Sequence, residues 1–131
     1  MLDTDGRVLL QRRRDNDVWA LPGGAVELGE TIAAAIVREV EEETGCRTEV
    51  VRLTGVYSDP DQTTITYPNG DVVAYVSTCF ECRYLGGEPR PTEESTDARW
   101  FPPDEAMAVL WNVHRNRLTH ALERREAADW T

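Results

Sequence analysis

The stretch REVEEETG, residues 38–45, crowds four glutamates into the last turns of a predicted helix. The carboxyl end of a helix carries a partial negative charge, so an acidic group there is disfavoured by about 0.3 kcal/mol or more. Like charges three or four residues apart repel by roughly 0.2–0.5 kcal/mol for each pair. A fold that keeps this helix must therefore expose the carboxylates to water or supply a cation for them.

The helix is predicted over residues 31–44 from the signals at its two ends. Thr31 is a suitable N-cap, although Ala34 stands where a complete capping box would have Glu or Gln. Gly45 suits the left-handed position that commonly follows a helix. These two ends place all four glutamates on one helix, so the helical period predicts the direction of each.

At about 100° per residue, Glu39 and Glu43 fall within about 20° of Ile32 and so continue the apolar face of the helix. That face is predicted from three residues, Ile32, Ile36 and Val40. Glu42 lies at the border of the face, while Glu41 points the opposite way, towards water. The helix is therefore expected to turn two carboxylates towards the body of the protein.

Carboxylates on a shielded face must be protonated, paired or bound to a metal ion. Three oxygen donors from one rigid helix, Glu39, Glu42 and Glu43, suit Mg²⁺, a hard ion that binds carboxylates and substrate phosphates. The alternative is a solvated acidic face that contacts a protein partner without any metal. Such a face would place its charges opposite the apolar residues, where Glu41 alone is expected.

The charge balance of the whole chain limits its partners. The 131 residues include 24 acidic and 14 basic side chains, which gives a net charge of -10. This balance argues against nucleic acid and against an anionic membrane as the main partner. A polyphosphate substrate would need local positive charge, from a bound metal or from the basic run Arg12 to Arg14.

The length of the chain predicts a single domain over residues 1–131. Three cysteines without an apolar N-terminal leader predict free thiols in the cytoplasm. No run of residues approaches the roughly 20 apolar positions that a membrane-spanning helix needs. The expected partner is therefore a small molecule.

Strand-like and helix-like segments alternate along the chain, which predicts helices packed on a mixed β-sheet. Strands are expected at residues 6–13, 49–58 and 97–101, and a hairpin around an Asn69-Gly70 turn at residues 63–84. The acidic segment 59–62 is expected to form a loop. After Pro102 and Pro103, a short helix should precede a longer one that reaches the C-terminus.

Residues 24–46, GAVELGETIAAAIVREVEEETGC, resemble the Nudix box, G-x5-E-x7-R-E-U-x-E-E-x-G-U, in which U is a bulky aliphatic residue. The last position departs from this pattern, because Cys46 stands where Ile, Leu or Val is usual, and a buried thiol can replace a small apolar group. The segments W-x-LPGG and ARWFPPDE also occur in the family's order, so the resemblance covers nearly the whole chain. The fixed positions of the box are filled by Gly24, Glu30, Arg38, Glu39, Val40, Glu42, Glu43 and Gly45.

This resemblance implies an α/β fold, the Nudix α/β/α sandwich with a mixed sheet between helices. It also implies hydrolysis of a nucleoside diphosphate linked to another moiety, by attack of water at phosphorus with Mg²⁺ or Mn²⁺. Glu39, Glu42 and Glu43 would be metal ligands, together with the backbone carbonyl of Gly24. A member that binds the nucleotide without cleaving it is the alternative, against which the complete box argues.

Further roles follow from the same resemblance. Arg38 would orient a ligand carboxylate, with Glu30 as a supporting residue, and the plain alternative is a surface ion pair. The general base would be a box glutamate or a residue of the loop PTEEST, residues 91–96. In that loop Glu94 is preferred to Glu93, and two solvated acids are the alternative.

Candidate substrate-binding residues are two arginines and two aromatic residues, Arg12, Arg14, Trp19 and Tyr67. An aromatic residue in a strand more often belongs to the core, and an arginine at a strand end is often solvated. Tyr57 and Trp100 are weaker candidates for the same reason. The segment 57–71 carries no signature of a particular nucleotide.

The N-terminal segment departs from the family pattern. Members usually have a full strand before the segment DGRVLL, whereas here Met1 and Leu2 precede DTDG. Either the chain is short at its start, so that the first strand is shortened, or a neighbouring segment completes the sheet edge. An open sheet edge can pair with another chain, so a homodimer is also predicted.

Overall fold

The computed structural model describes residues 1–130, which form eight strands and four helices. In chain order these are β1 (Val8–Arg13), β2 (Trp19–Ala20), α1 (Ile32–Thr44), β3 (Arg47–Tyr57), α2 (Pro60–Thr63), β4 (Thr64–Thr66), β5 (Val72–Ala74), β6 (Ser77–Gly86), β7 (Ser95–Phe101), α3 (Pro103–Val109), α4 (Asn112–Glu123) and β8 (Asp129–Trp130).

Alternating side chains of β1 divide the core into two layers. Val8 and Leu10 are fully buried against α3 and α4, in a cluster with Leu110 and Leu118. Leu9, which points the other way, is buried against α1 beside Val40 and Cys46. A sheet with helices on both faces results, which confirms the predicted α/β sandwich.

The sheet is mixed and is built from two halves. One half has the order β2-β1-β7 and the other has the order β6-β3-β8. Strands β1 and β7 are antiparallel, as are β3 and β6, whereas β8 is parallel to β3. This arrangement brings the carboxyl end of β1 beside the start of β7, where the loop with Glu93 and Glu94 joins the sheet.

Residues at the N-terminus connect the two halves. Leu2 forms single bridges with Val8 of β1 and with Arg83 of β6, and the Leu9 N–H donates to the Met1 carbonyl at 3.1 Å. The chain itself therefore covers part of the edge on which the homodimer prediction rested. The dimer stays a prediction.

The bounds predicted for α1 are confirmed. Thr31 is the N-cap, and its side chain accepts a hydrogen bond from the Ala34 N–H at 3.1 Å. Gly45 ends the helix in the left-handed region, with φ +79°. One detail was wrong: Ile32, in the first turn, is 46% exposed, so the packed face begins one turn later with Ala35 and Ile36.

Two predictions for the segment 59–84 were wrong in part. Residues 60–63 form the short helix α2 instead of a loop, because Asp59 accepts from the Asp61 N–H as N-cap and Pro60 fits the first turn. The hairpin exists, but it consists of β4 and β5 alone, and its loop runs over residues 67–71. The chain then breaks before β6, which pairs with β3 instead.

The C-terminal helix was predicted too long. Helix α4 ends at Glu123, and Arg124 follows in the left-handed region with φ +51°. The chain then returns to the sheet as β8, which is anchored by the Asp129 carboxylate at 3.0 Å from Nδ1 of His120. Thr131 lies outside the described residues.

Two predictions concern the cysteine thiols and the possibility of a membrane-spanning helix. The three cysteines are free thiols, and Cys46 and Cys82 are buried. In the part of the chain that the structure describes, no helix has the length and apolar character needed to cross a membrane.

One buried histidine links α4 to the segment that follows β2. The Leu21 N–H donates to Nδ1 of His114 at 3.2 Å, so this ring nitrogen must carry no proton. Burial lowers the pKa of His114 to about 3, and the positive charges of Arg117 and Arg13 lower it further. The histidine therefore stays neutral while the fold is intact.

This histidine makes stability depend on pH. An unfolded histidine has a pKa of about 6.5, so below that pH the unfolded chain binds a proton that the folded chain refuses. Stability should therefore fall as the pH falls from about 6.5 towards 3. The variant His114→Asn keeps a side-chain acceptor at this position but has no group that titrates in this range. It should therefore lack this contribution to the pH dependence of the free energy of unfolding.

Urea unfolding of both proteins at pH 7.5 and pH 5 tests this expectation. The wild type should lose about 2 kcal/mol more than His114→Asn over this interval. The carboxylates titrate in both proteins, so their contribution cancels in the comparison. Equal losses in the two proteins would contradict a neutral, buried His114.

Candidate active site

The carboxylates of α1 point as the helical period predicts. Glu43 is 5% exposed and the side chain of Glu39 is 12% exposed, whereas Glu41 lies in solvent. Glu42 stands at the border, with 45% of its side chain exposed. The prediction that two acids of this helix face the body of the protein is confirmed.

Glu94 approaches these carboxylates from a distant part of the chain. One carboxylate oxygen from each of Glu39, Glu42 and Glu94 lies within 4.8 Å of the other two. Glu94 lies on the loop before β7, and the sheet pairing of β1 with β7 carries that loop to the end of α1. The three acids therefore form one group of oxygen donors that opens to solvent through Glu42 and Glu94.

Gly23 and Gly24, which we call the glycine segment, precede α1 and lie on another side of this group of carboxylates. A Cβ at Gly24 would lie 2.7 Å from Oε2 of Glu39 and closer still to Oε1. The backbone of Gly24 therefore lies directly against this carboxylate, in a space that a side chain would fill. Because the Gly24 backbone and the Glu39 carboxylate lie this close together, one metal ion can bind to both of them.

Glu43 is held by groups on both sides. The Gly23 N–H donates to its Oε1 at 2.7 Å, and Nε2 of Gln11 donates to its Oε2. Burial raises the pKa of Glu43 to about 8, and the negative charges of Glu39 and Glu94 raise it further. Glu43 therefore fastens the glycine segment to α1, and its assignment as a metal ligand remains a prediction.

Arg38 connects the acids of α1 with Glu30. Its guanidinium donates to both carboxylate oxygens of Glu30, at 2.6 and 3.0 Å, and to Glu39 and Glu42 at 2.9 and 3.1 Å. The hydrogen bond to Glu30, more than that to Glu39, raises the pKa of Arg38 above its usual range. A further donation to the Ala25 carbonyl, at 3.1 Å, ties the glycine segment to this network.

The same network sets the charge of its carboxylates. The hydrogen bond from Arg38 lowers the pKa of Glu30 to about 2. Burial raises the pKa of Glu39, and the hydrogen bond and charge of Arg38 oppose this shift. One guanidinium thus keeps Glu30 ionised and fixes the side chains of Glu39 and Glu42.

The two arginines predicted to bind substrate contact other parts of the protein. Arg12 pairs with Asp17, with 2.9 Å between Nε and Oδ1. The guanidinium of Arg14 donates to backbone carbonyls of the loop before β7. The roles of both arginines towards substrate remain predictions.

The two aromatic candidates have different surroundings. Trp19 stands edge-on to Phe101 in the core, with 5.0 Å between the ring centroids. Tyr67 lies in the hairpin loop, where its hydroxyl contacts that of Tyr75. Of the weaker candidates, Tyr57 is fully buried, as expected for a core residue.

Sequence reasoning missed two residues of the site. Gln11 is buried in β1 and donates to Glu43, and Ser95 is buried and donates from Oγ to the Glu43 carbonyl. A polar residue in the otherwise apolar run VLLQ was a signal for Gln11. Ser95 carried no comparable signal, because its partner lies 52 residues away in the chain.

The donor set fits a hard divalent cation. Carboxylate oxygens and a backbone carbonyl are the ligands that Mg²⁺ and Mn²⁺ prefer, and the set contains no sulfur or imidazole that would favour zinc. Three anionic groups this close repel one another, and a divalent ion would relieve the repulsion. Glu39, Glu42, Glu94 and the backbone of Gly24 are therefore the residues that would hold such an ion.

Comparisons with known proteins find relatives along most of the chain. The sequence profile described as NUDIX domain matches residues 1–122. A MutT-like protein from Streptomyces ambofaciens is 44% identical over 119 residues, which are 91% of this chain and 70% of that protein. An ADP-ribose pyrophosphatase from Methanocaldococcus jannaschii is 39% identical over 104 residues, which are 77% of this chain and 57% of that protein.

A solved structure supports the fold independently. The crystal structure of a NUDIX hydrolase from Nitrosomonas europaea matches with a TM-score of 0.76 at 22% identity, over 100% of this chain and 74% of that one. At this level of identity the likeness concerns the fold alone.

The close approach of Gly24 to Glu39 can be tested with one methyl group. In Gly24→Ala the new Cβ would overlap the Glu39 carboxylate, which can rotate away because it is the end of a flexible side chain. We expect Mn²⁺ to bind about tenfold more weakly, with little change in the free energy of unfolding. Calorimetric titration with Mn²⁺ and urea unfolding measure the two quantities.

The neighbouring glycine provides a matched control. A Cβ at Gly23 would meet Cδ1 of Ile36 at 3.8 Å, an ordinary contact, and the N–H that donates to Glu43 would remain. Gly23→Ala should therefore bind Mn²⁺ nearly as the wild type does. Equal losses in the two variants would show that the site does not depend on the approach of Gly24.

Proposed function

The chain belongs to the Nudix hydrolase family, and we propose that it cleaves a phosphoanhydride bond in a nucleoside diphosphate linked to another moiety, with Mg²⁺ or Mn²⁺ as cofactor. The observation that carries this proposal is the group of Glu39, Glu42 and Glu94, whose oxygens converge within 4.8 Å. The reaction is attack of water at phosphorus, carried out by a single domain in the cytoplasm.

In this proposal Glu39, Glu42 and Glu94 would hold the divalent ion together with the carbonyl of Gly24. A bound ion of this kind stabilises the negative charge that grows on phosphate oxygens and acidifies water. Glu43, which the family pattern includes among the ligands, also keeps Gly23 in place through a hydrogen bond of 2.7 Å.

Arg38 orients the ligands in this scheme. Its contacts of 2.9 Å with Glu39 and 3.1 Å with Glu42 hold two flexible side chains in the arrangement that the ion requires. Its paired contacts with Glu30 hold the guanidinium itself, since a planar fork and a carboxylate match in shape. Arg38 and Glu30 thus act on the reaction through Glu39 and Glu42.

Glu94 is our candidate for the general base. A carboxylate has two oxygens, so Glu94 can give one to the ion and accept the proton of the attacking water with the other. Its exposure on a loop keeps it accessible to solvent water. A glutamate of α1 is the alternative base.

The substrate class follows the relatives. An ADP-ribose pyrophosphatase and a MutT-like protein are both close in sequence, so ADP-ribose and nucleoside triphosphates are the substrates to test first. The chain spans just over half of the archaeal relative, 57% of its length, so the substrate of that protein is a starting point. Arg12, Trp19 and Tyr67 remain candidate substrate contacts.

Replacing Glu39 tests the proposed function. Glu39→Gln keeps the shape of the side chain but removes a negative charge from the ion-binding group. We expect kcat/KM for the best substrate to fall at least about 100-fold, because the ion contributes several kcal/mol to the transition state. Glu41→Gln, at an exposed position on the same helix, is the matched control and should keep nearly full activity.

The assay uses a panel of ADP-ribose, nucleotide sugars and nucleoside triphosphates with Mg²⁺, and mass spectrometry identifies the products. Full activity of Glu39→Gln would remove the basis of the proposal. A wild-type protein that binds a nucleotide of the panel without turning it over would instead be a sensing module.

A further inference from the structure

Arg14 binds the loop before β7 in an unusual way. The backbone carbonyls of four consecutive residues, Thr92, Glu93, Glu94 and Ser95, all accept hydrogen bonds from this one arginine. Its Nη2 donates to Thr92 at 2.9 Å and to Ser95 at 3.2 Å, and its Nε donates to Glu93 at 3.1 Å. Its backbone N–H donates to Glu94 at 3.2 Å.

The neighbouring arginines behave differently. In the described part of the chain, Arg12 pairs with Asp17 and Arg13 pairs with Asp15, both carboxylates of the following turn. The contacts found for Arg14 are with carbonyls. A guanidinium presents several N–H donors in one rigid plane, so it can hold several carbonyls of a turn at once.

The other side of the loop is also fixed. Oγ1 of Thr92 accepts from the N–H groups of Glu94 and Ser95, at 3.2 and 3.3 Å. The buried Oγ of Ser95 donates to the carbonyl of Glu43 at the end of α1. Arg14 thus completes a turn whose backbone is tied to both β1 and α1.

This turn carries Glu94 into a group of carboxylates that repel it. Glu39 and Glu42 lie within 4.8 Å of Glu94 through their nearest oxygens, and Glu94 itself is exposed. An exposed acid on an untethered loop would move away from two other acids until an ion arrived. Holding the backbone in place therefore keeps the oxygen donors together in advance.

We propose that Arg14 is a positioning residue, which holds the loop of residues 92–95 so that Glu94 stays beside Glu39 and Glu42. This inference rests on the proposed function, because it assigns Glu94 to the ion-binding group. It differs from the sequence-based prediction that Arg14 contacts the substrate. Its effect should therefore be visible in ion binding before any substrate is present.

Mn²⁺ binding to the substrate-free protein tests this directly. Titration calorimetry compares the wild type with Arg14→Met, Glu94→Gln and the double variant. We expect each single change to weaken Mn²⁺ binding about tenfold. The double variant should bind as Glu94→Gln does, within about twofold, because Arg14 acts through Glu94.

Two further variants serve as controls. Arg83→Met removes one positive charge from an exposed position, where Arg83 pairs with Glu49, and should leave Mn²⁺ binding unchanged within about twofold. Arg14→Lys keeps the charge but loses the planar set of donors, so its affinity should lie between those of the wild type and Arg14→Met. It also provides the comparison if Arg14→Met does not fold.

The outcomes separate this inference from the proposed function. If Glu94→Gln weakens Mn²⁺ binding but neither Arg14 variant does, the positioning role is wrong and the proposed function stands. If both single changes act but their effects multiply in the double variant, Arg14 acts independently of Glu94 and the inference is overturned. An Arg14 variant that raises KM for the nucleotide without changing Mn²⁺ affinity would instead indicate direct contact with the substrate. If Glu94→Gln has no effect on Mn²⁺ binding, Glu94 does not belong to the ion-binding group. The positioning role of Arg14 and the part of the proposed function that assigns Glu94 to the ion are then both wrong.

Discussion

The burial of carboxylates at the end of α1 is the constraint on which the site depends. Glu39 and Glu43 continue the face of the helix that also buries Val40, so water cannot solvate them fully. Each is stabilised by donors from other segments: Arg38 for Glu39, and the Gly23 N–H for Glu43. Burial raises the pKa of Glu43 to about 8, and the negative charges of Glu39 and Glu94 raise it further. A divalent cation would relieve the repulsion among Glu39, Glu42 and Glu94, which is why we interpret these three carboxylates as an ion-binding site.

Residues other than the three acids hold the segments of this site in place. The glycine segment is held by Glu43 and, further back, by His114, which accepts from the Leu21 N–H in the segment leading to Gly23. The loop that carries Glu94 is held by Arg14 on one side and by Ser95 on the other. Three segments far apart in sequence are thus fixed separately and meet at one point. Such preorganisation is what a metal site needs, because ligands that are already in place lose little freedom when the ion binds.

The sequence predicted the helix of the site well, because the relevant signals are local. Thr31, Gly45 and the period of the apolar residues were enough to place α1 and to turn Glu39 and Glu43 inwards. The Asp59-Pro60 pair was also a local signal, since it marks the start of α2, but we interpreted it as part of a loop. The remaining errors concern which strands pair with each other. The continuous alternating pattern over residues 63–84 does not reveal that β6 pairs with β3. The C-terminal residues likewise do not reveal that β8 pairs with the same strand. The contact of Gln11 with Glu43 depends on the packing of β1 against α1, and those of Arg14 depend on the pairing of β1 with β7, so the sequence alone could not predict them.

We propose that Glu39, Glu42 and Glu94 together bind a divalent cation. Anomalous diffraction from crystals soaked in Mn²⁺ tests it most directly, since the ion itself provides the signal. We expect one strong anomalous peak among these three carboxylates, beside the backbone of Gly24. Crystals in which Mn²⁺ gives no peak there, with the three side chains spread into solvent, would contradict it.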